Sequence, residues 1–246
     1  MITALLPIIL APTTWTLQLG SLKRTALVYA PRDTKDAPVV IGFHGHGGGS
    51  RQAARSFGIH QSWPEAIVVY PQGLPTKGKS DPEGKKPGWQ KQLGEYDNRD
   101  LEFVDAILSK VKNELKADPK KIFAMGHSNG GAMTYFLWAT RPDDFAAFGP
   151  SGAYRVITKQ MKPRPIFHIA GTNDPLVSFE FQERSLKLAR SLNGCTDEPV
   201  KSGEFMSTYA SKSHAPVVTY FTQQGHKFPT EASAEMVKFF KQVAER

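Results

Sequence analysis

One cysteine, Cys195, stands in the 246 residues. No intrachain disulfide can therefore staple the fold, and cysteine usage assigns no redox compartment. Long hydrophobic runs are also missing. The most apolar stretch, residues 1–11, has the core of a signal peptide without its positive leader and is too short to span a bilayer. Residues 1–14 are accordingly expected to be a signal-peptide remnant or an N-terminal extension. Secreted or periplasmic location goes with that reading, cytoplasmic location with its alternative. Internal repeats, heptads and low-complexity tracts are absent, which excludes solenoids and coiled coils. Acidic residues are in deficit: 31 Lys plus Arg stand against 23 Asp plus Glu, for a net charge of +8. That excess permits weak attraction to polyanions. Its densest part, Lys77, Lys79, Lys85, Lys86 and Lys91, lies among Gly, Pro and Ser with neither helical spacing nor interleaved aromatics, and reads as a solvated loop. No nucleic-acid, membrane or obligate protein partner is expected.

What is present is a single core of ordinary size: 40% of the residues are hydrophobic, enough for one domain over residues 15–246. Residues 15–19 and 24–30 alternate in polarity around Gly20-Ser21 and predict an antiparallel hairpin at one sheet edge. Residues 38–43, 66–70, 122–125, 145–148, 165–170 and 216–221 are continuous apolar runs, the pattern of strands buried on both faces. Helical patterns at 52–60, 101–115, 130–139, 179–192 and 232–244 lie between them. In the second, Leu101, Val104, Leu108, Val111 and Leu115 form one stripe, with Asp97 as the expected N-cap and Pro119 as the stop. Strand–helix alternation predicts a mostly parallel sheet with helices on both faces.

The chemistry is concentrated at Gly126-His127-Ser128-Asn129-Gly130, a Gly-x-Ser-x-Gly between an apolar strand and a helix. In that context the pattern reads as a nucleophile elbow, a sharp turn that exposes Ser128 at the helix start. A serine hydroxyl needs a base and an orienting acid. Both follow in the order Ser, Asp, His: Asp174 in the turn after the 165–170 strand, and His226 in the loop ahead of the last helix. Asp143, Asp144 and Asp197 are weaker rivals for the acid, since the first two end a helix and the third sits in a polar loop. His168, mid-strand, reads as a satisfied core residue, and His60 and His214 have no motif around them. His44-Gly45-His46-Gly47-Gly48-Gly49 follows an early buried strand, where a Gly-rich loop can supply oxyanion donors. The expected donors are the N–H groups of His46 and Asn129. His44 and His46 as metal ligands lack completing residues, so no metal or other cofactor is expected. Trp89, the one tryptophan of the polar 73–96 loop, follows a buried strand and is expected to line the substrate cleft as an apolar wall.

These residues resemble the feruloyl esterase, acetylxylan esterase and polyhydroxybutyrate depolymerase-like enzymes of carbohydrate esterase family 1, within the α/β-hydrolases. The resemblance covers most of residues 20–245. It is carried by His44-Gly45, Tyr70-Pro71-Gln72-Gly73, Gly88-Trp89, residues 97–103, Gly126 to Met133, Gly171 to Asp174, Asn193-Gly194-Cys195 and Gly225-His226 through Pro229. It implies an α/β-hydrolase fold, a triad at Ser128, Asp174 and His226, a second oxyanion donor at His46, and an active-site place for Trp89. Two departures stand out. Phe228 occupies a position where many relatives carry Trp, which makes it a candidate for shaping the substrate site, and Cys195 lacks the partner cysteine many relatives have.

The reading that follows is a serine esterase acting on carboxylic esters through an acyl-enzyme. Its substrates are expected to be small or oligomeric esters, either plant-polysaccharide-linked (feruloyl or acetyl) or of hydroxyalkanoate polyester type. An acyltransferase using the same acyl-enzyme is the first alternative, and a catalytically inactive hydrolase fold that only binds is the second.

Overall fold

The computed structural model describes residues 11–201 and 203–246. Twelve strands are formed along them: Thr13–Leu19 (β1), Leu22–Tyr29 (β2), Val39–Phe43 (β3), Ile67–Pro71 (β4), Leu74–Pro75 (β5), Pro87–Gly88 (β6), Ile122–His127 (β7), Ala147–Ser151 (β8), Ile166–Gly171 (β9), Val200–Lys201 (β10), Met206–Tyr209 (β11) and Val217–Thr222 (β12). The α-helices are Ser50–Phe57 (α1), Ile59–Ser62 (α2), Arg99–Asn113 (α3), Asn129–Thr140 (α4), Phe179–Asn193 (α5) and Ala232–Ala244 (α6).

Ten strands form one sheet in the order β1-β2-β4-β3-β7-β8-β9-β12-β11-β10. The run from β4 to β12 is parallel throughout. The expected hairpin β1–β2 caps one edge antiparallel, and β11 and β10, for which no strand was expected, cap the other in the same sense. Of the expected N-terminal segment, residues 1–10 lie outside the described residues, while Thr13 and Thr14 already belong to β1 and pair with Val28 and Leu27.

Alternate strand residues feed two separate cores. Val39, Ile41, Phe43, Ile122 and Ala124 pack with α3, α4 and α5 on one face. Val40, Val68, Phe123, Met125 and Phe167 pack with α1, α2 and α6 on the other. A strand covered on both sides has no polar phase, which is why these runs read as continuous.

Three expected elements differ. The 52–60 helix is two pieces, because Gly58 adopts φ +57° and stops α1 with an N–H···O bond to Ala54. The 145–148 strand is shifted forward to Ala147–Ser151, and its pairing with β9 skips Gly149 and Pro150, since proline has no N–H to give the ladder. Asp97 does not cap α3. Tyr96, Asp97 and Asn98 are all left-handed, and the first helical N–H groups, those of Asp100 and Leu101, donate instead to Gln90 Oε1 at 3.0 and 3.3 Å. A side chain from a distant turn therefore does the work of a local cap.

Candidate active site

Strand β7 delivers Ser128 to the sheet's carboxyl edge, where α4 begins one residue later. Ser128 has φ 57° and ψ −121°, a backbone state that costs a non-glycine residue about 1–3 kcal/mol. Its N–H donates to Ser151 O and its carbonyl accepts from Ala132, so both neighbouring elements hold the turn in place. Helix α4 can start here only because Gly130 has no side chain: a Cβ there would stand 2.0 Å from the Phe43 carbonyl oxygen.

Asp174 and His226 arrive from parallel strands further along the sheet, beyond β8. Asp174 follows β9 and His226 follows β12, and their loops are tied by Asn173, whose amide donates to Gln223 O at 2.7 Å. A Cβ on Gly171 would lie 2.2 Å from Gln224 O, so this close approach also depends on glycine. His226 Nδ1–H donates to Asp174 Oδ2 at 2.7 Å, and Ser128 Oγ–H donates to His226 Nε2 at 2.8 Å. This tautomer of neutral histidine satisfies both bonds at once. Asp174 Oδ1 accepts from the N–H groups of Leu176 and Val177, each at 2.9 Å. Burial raises the Asp174 pKa, but the bonds from His226, Val177 and Leu176 outweigh it and hold the carboxyl below its ordinary value. The rival acids are engaged elsewhere: Asp143 with Lys162 and Arg164, Asp144 with Lys112. His127, its ring 4.8 Å from that of His226, is pushed down to about 4 by burial and by its histidine neighbour.

The Gly-rich loop after β3 runs beside Ser128: a Cβ on Gly45 would be 3.5 Å from Ser128 Cβ. Among the described residues the His46 N–H has no protein acceptor, and Asn129, as the first residue of α4, has none within the helix. His44 and His46 diverge. Gly73 N–H donates to His44 Nε2 at 2.9 Å and His44 Nδ1 contacts Gly45 O, while His46 Nε2 bonds Asp81 at 3.2 Å. Burial lowers the His44 pKa, consistent with a neutral ring accepting at Nε2. Among the described residues no cluster of three or more His, Cys, Asp or Glu could hold a metal.

Trp89 is not in the cleft wall. It is fully buried at 0% exposure, lies edge-on to Phe43 at 5.2 Å and donates its indole N–H to His44 O at 2.8 Å. Its backbone exchanges two bonds with the Asn129 side chain, at 2.7 and 3.1 Å. It therefore stands beneath the Gly-rich loop and joins it to the start of α4. Trp89 lies at the expected end of the sheet but deeper than a cleft wall, because a tryptophan whose polar groups find carbonyl and amide partners can be buried within a polar loop. Gln72, within the Tyr70-Pro71-Gln72-Gly73 segment, and Gln90 support the same region. Gln72 Oε1 accepts the Ser50 N–H at the start of α1. Gln90 N–H donates to Asp100, whose other oxygen pairs with the fully buried Arg24 at 2.9 Å.

The cleft over Ser128 measures about 470 Å³ and is lined by the Gly-rich loop together with Phe57, His127, Lys227 and Phe228. Phe228 does line it, packed 4.8 Å from Phe57.

A mostly parallel sheet with a serine elbow at its carboxyl edge, a histidine and an aspartate on the following loops and a Gly-rich loop opposite is the α/β-hydrolase fold. Within that class the chain belongs to the phospholipase/carboxylesterase family, whose model matches residues 24–219. It is 28% identical over 176 residues to the bifunctional acetylxylan esterase/xylanase of Neocallimastix patriciarum, a match covering 70% of this chain and 24% of that protein. It is 29% identical over 203 residues to feruloyl esterase C of Emericella nidulans, covering 78% and 67% respectively. The chain spans about half or less of the length of several curated relatives it matches. In fold it is similar to a solved ferulic acid esterase, with a TM-score of 0.67 at 14% identity over 95% of this chain and 98% of that one. Among the described residues no helix is long and apolar enough to cross a membrane.

Proposed function

We propose that this chain is a serine esterase that hydrolyses carboxylic esters through an acyl-enzyme. The observation that carries the reading is the unbroken line Ser128 Oγ, His226 Nε2, His226 Nδ1, Asp174 Oδ2, with links of 2.8 and 2.7 Å. Ser128 Oγ attacks the ester carbonyl carbon and its proton passes to His226 Nε2, while Asp174 stabilises the imidazolium and keeps the ring oriented. The carbonyl oxygen takes the negative charge and is met by the His46 and Asn129 N–H groups. As the tetrahedral species collapses, the C–O bond to the alcohol breaks and His226 returns the proton to the leaving oxygen. Water then attacks the acyl carbon and gives one proton to His226. As the bond from the acyl carbon to Ser128 Oγ breaks and the acid is released, His226 passes that proton to Ser128 Oγ.

The lining of the cleft, which combines the apolar Phe57 and Phe228 with the polar Gln52, Ser56 and Thr230, supports esters that join an apolar or aromatic acyl group to a hydroxylated alcohol. The feruloyl and acetylxylan esterase names of the relatives agree with that class. The test is a panel of acetyl, butyryl, feruloyl and hydroxybutyrate oligomer esters assayed with the protein and with Ser128→Ala. Turnover of at least one ester that disappears in the variant is expected, and turnover retained by Ser128→Ala overturns the assignment. Within the panel, Phe228→Ala is expected to lower kcat/KM for the feruloyl ester about tenfold more than for the acetyl ester, the worth of one apolar contact face.

A further inference from the structure

Behind Asp174 lies a second line of polar side chains that the reaction does not touch. Tyr135 on α4, His168 on β9 and Gln182 on α5 are each fully buried, yet they are joined end to end. Tyr135 Oη is 2.9 Å from His168 Nδ1, His168 Nε2 is 3.1 Å from Gln182 Oε1, and Gln182 Nε2 donates to Val177 O at 2.9 Å. Val177 is the residue whose N–H holds Asp174 Oδ1.

The proton positions have one consistent solution. Gln182 uses its NH2 on Val177, so its oxygen must accept, and His168 Nε2 must carry a hydrogen. His168 Nδ1 is then bare in the neutral ring and accepts from the Tyr135 hydroxyl. Burial pushes His168 down to about 4, so this neutral form holds across the working pH range. Three polar side chains from three elements have thus been desolvated and fully satisfied, where apolar residues of like volume would fill the same space at lower cost. Packing alone does not explain them. Their output is the place of a single carbonyl, Val177 O, in the 174–177 turn.

We infer that Tyr135, His168 and Gln182 are positioning residues that fix the 174–177 turn from behind, and through it the carboxylate that orients His226. The line closes on itself. Tyr135 lies two turns along the helix that opens just after Ser128, so nucleophile and acid are referred to one another through the core as well as through His226. The inference rests on the proposed triad, and its test separates the two.

Gln182→Met keeps the volume and removes the bond to Val177. A small misplacement of a catalytic group costs up to about a hundredfold in rate, so kcat is expected to fall about tenfold with KM held within about twofold. The downfield proton NMR resonance of the His226–Asp174 hydrogen bond should shift or broaden in the same variant. Leu186→Ala, on the same helix and buried but outside the line, should lower Tm while leaving both readouts as in the parent protein. A Gln182→Met protein with lowered Tm but unchanged kcat and resonance overturns the inference and leaves the trio as core. Tyr135→Phe, which deletes one oxygen, carries the same readouts if Gln182→Met does not fold, with about a threefold loss of kcat expected and an unchanged resonance counting against. Absence of ester turnover in the parent protein would sink the esterase reading. The resonance comparison would still decide this one.

Discussion

Asp174 and His226 reach Ser128 on loops that follow β9 and β12, and short side-chain hydrogen bonds of 2.7–2.9 Å hold them there. His46 and Asn129, on the other side of the cleft, are held by a buried tryptophan whose indole and backbone bond to His44 and Asn129. Beneath it lie Gln90, Asp100 and Arg24. On the proposed reading the acid–base side is held by charge and hydrogen bonding, with Ser128 and His226 themselves adding little to the core, whereas the oxyanion side presents backbone donors that only rigid packing can aim. Damage to the first should cost rate without stability. Damage to the second should cost both.

The largest effect expected is on rate. Ser128→Ala and His226→Ala should each lower kcat by about 10⁴-fold or more, and the double variant should be little worse than either, since the members of such a unit are not additive. Steady-state kinetics checks this, and additive losses would mean separate roles. Circular dichroism melts of the same proteins should match the parent.

Trp89→Ala tests the other side. It removes a fully buried indole and should cost about 3–5 kcal/mol of stability, read by chemical denaturation, together with a loss of kcat that is equal for large and small esters. Loss confined to large esters would make Trp89 a contact of the substrate and undo the comparison.

A pH effect on stability comes next. His127 and His168 both fall from the ordinary histidine value of 6.5 to about 4 in the folded protein. Between those values the unfolded chain binds protons that the folded one does not, so stability is whole above pH 6.5, declines as pH drops toward 4 and loses no more from these groups below that. The loss is about 3 kcal/mol for the fully buried His168 and less for the partly exposed His127. Denaturation midpoints across pH 7.5 to 4 should begin to fall near 6.5. A fall confined to the carboxylate range would contradict the assignment of these two rings.

The smallest expected effect is a gain. Ser128→Gly releases the strained turn and should raise stability by about 1 kcal/mol while abolishing turnover. An unchanged or lower Tm would mean the elbow is not strained.

The same contrast explains what could be read in the sequence. That Ser128, Asp174 and His226 come together was legible because each sits where an apolar strand breaks into a turn, and chain order did the rest. The parallel core was legible from its runs, since burial on both faces leaves no alternation. The oxyanion side was harder to read. Trp89, Gln90 and Asp100 take partners far away in sequence, and nothing local distinguishes a buried Trp in a Lys-rich loop from a cleft wall. Asp97 failed as a cap for the same reason: Gln90, from a turn seven residues earlier, took the helix N–H groups that a local side chain was expected to accept. The β10–β11 edge, two and four residues long, was too short to show a period. Phe228 was found through family resemblance rather than spacing, and it does line the cleft.

The central claim is that Ser128 is a nucleophile activated by His226, and covalent labelling tests it most directly. The protein is treated with a fluorophosphonate, digested and mapped by mass spectrometry. A single adduct on Ser128, formed at a rate that collapses in His226→Ala, is the expected result. An unlabelled Ser128 in a protein that still hydrolyses esters, or equal labelling with and without His226, would contradict it.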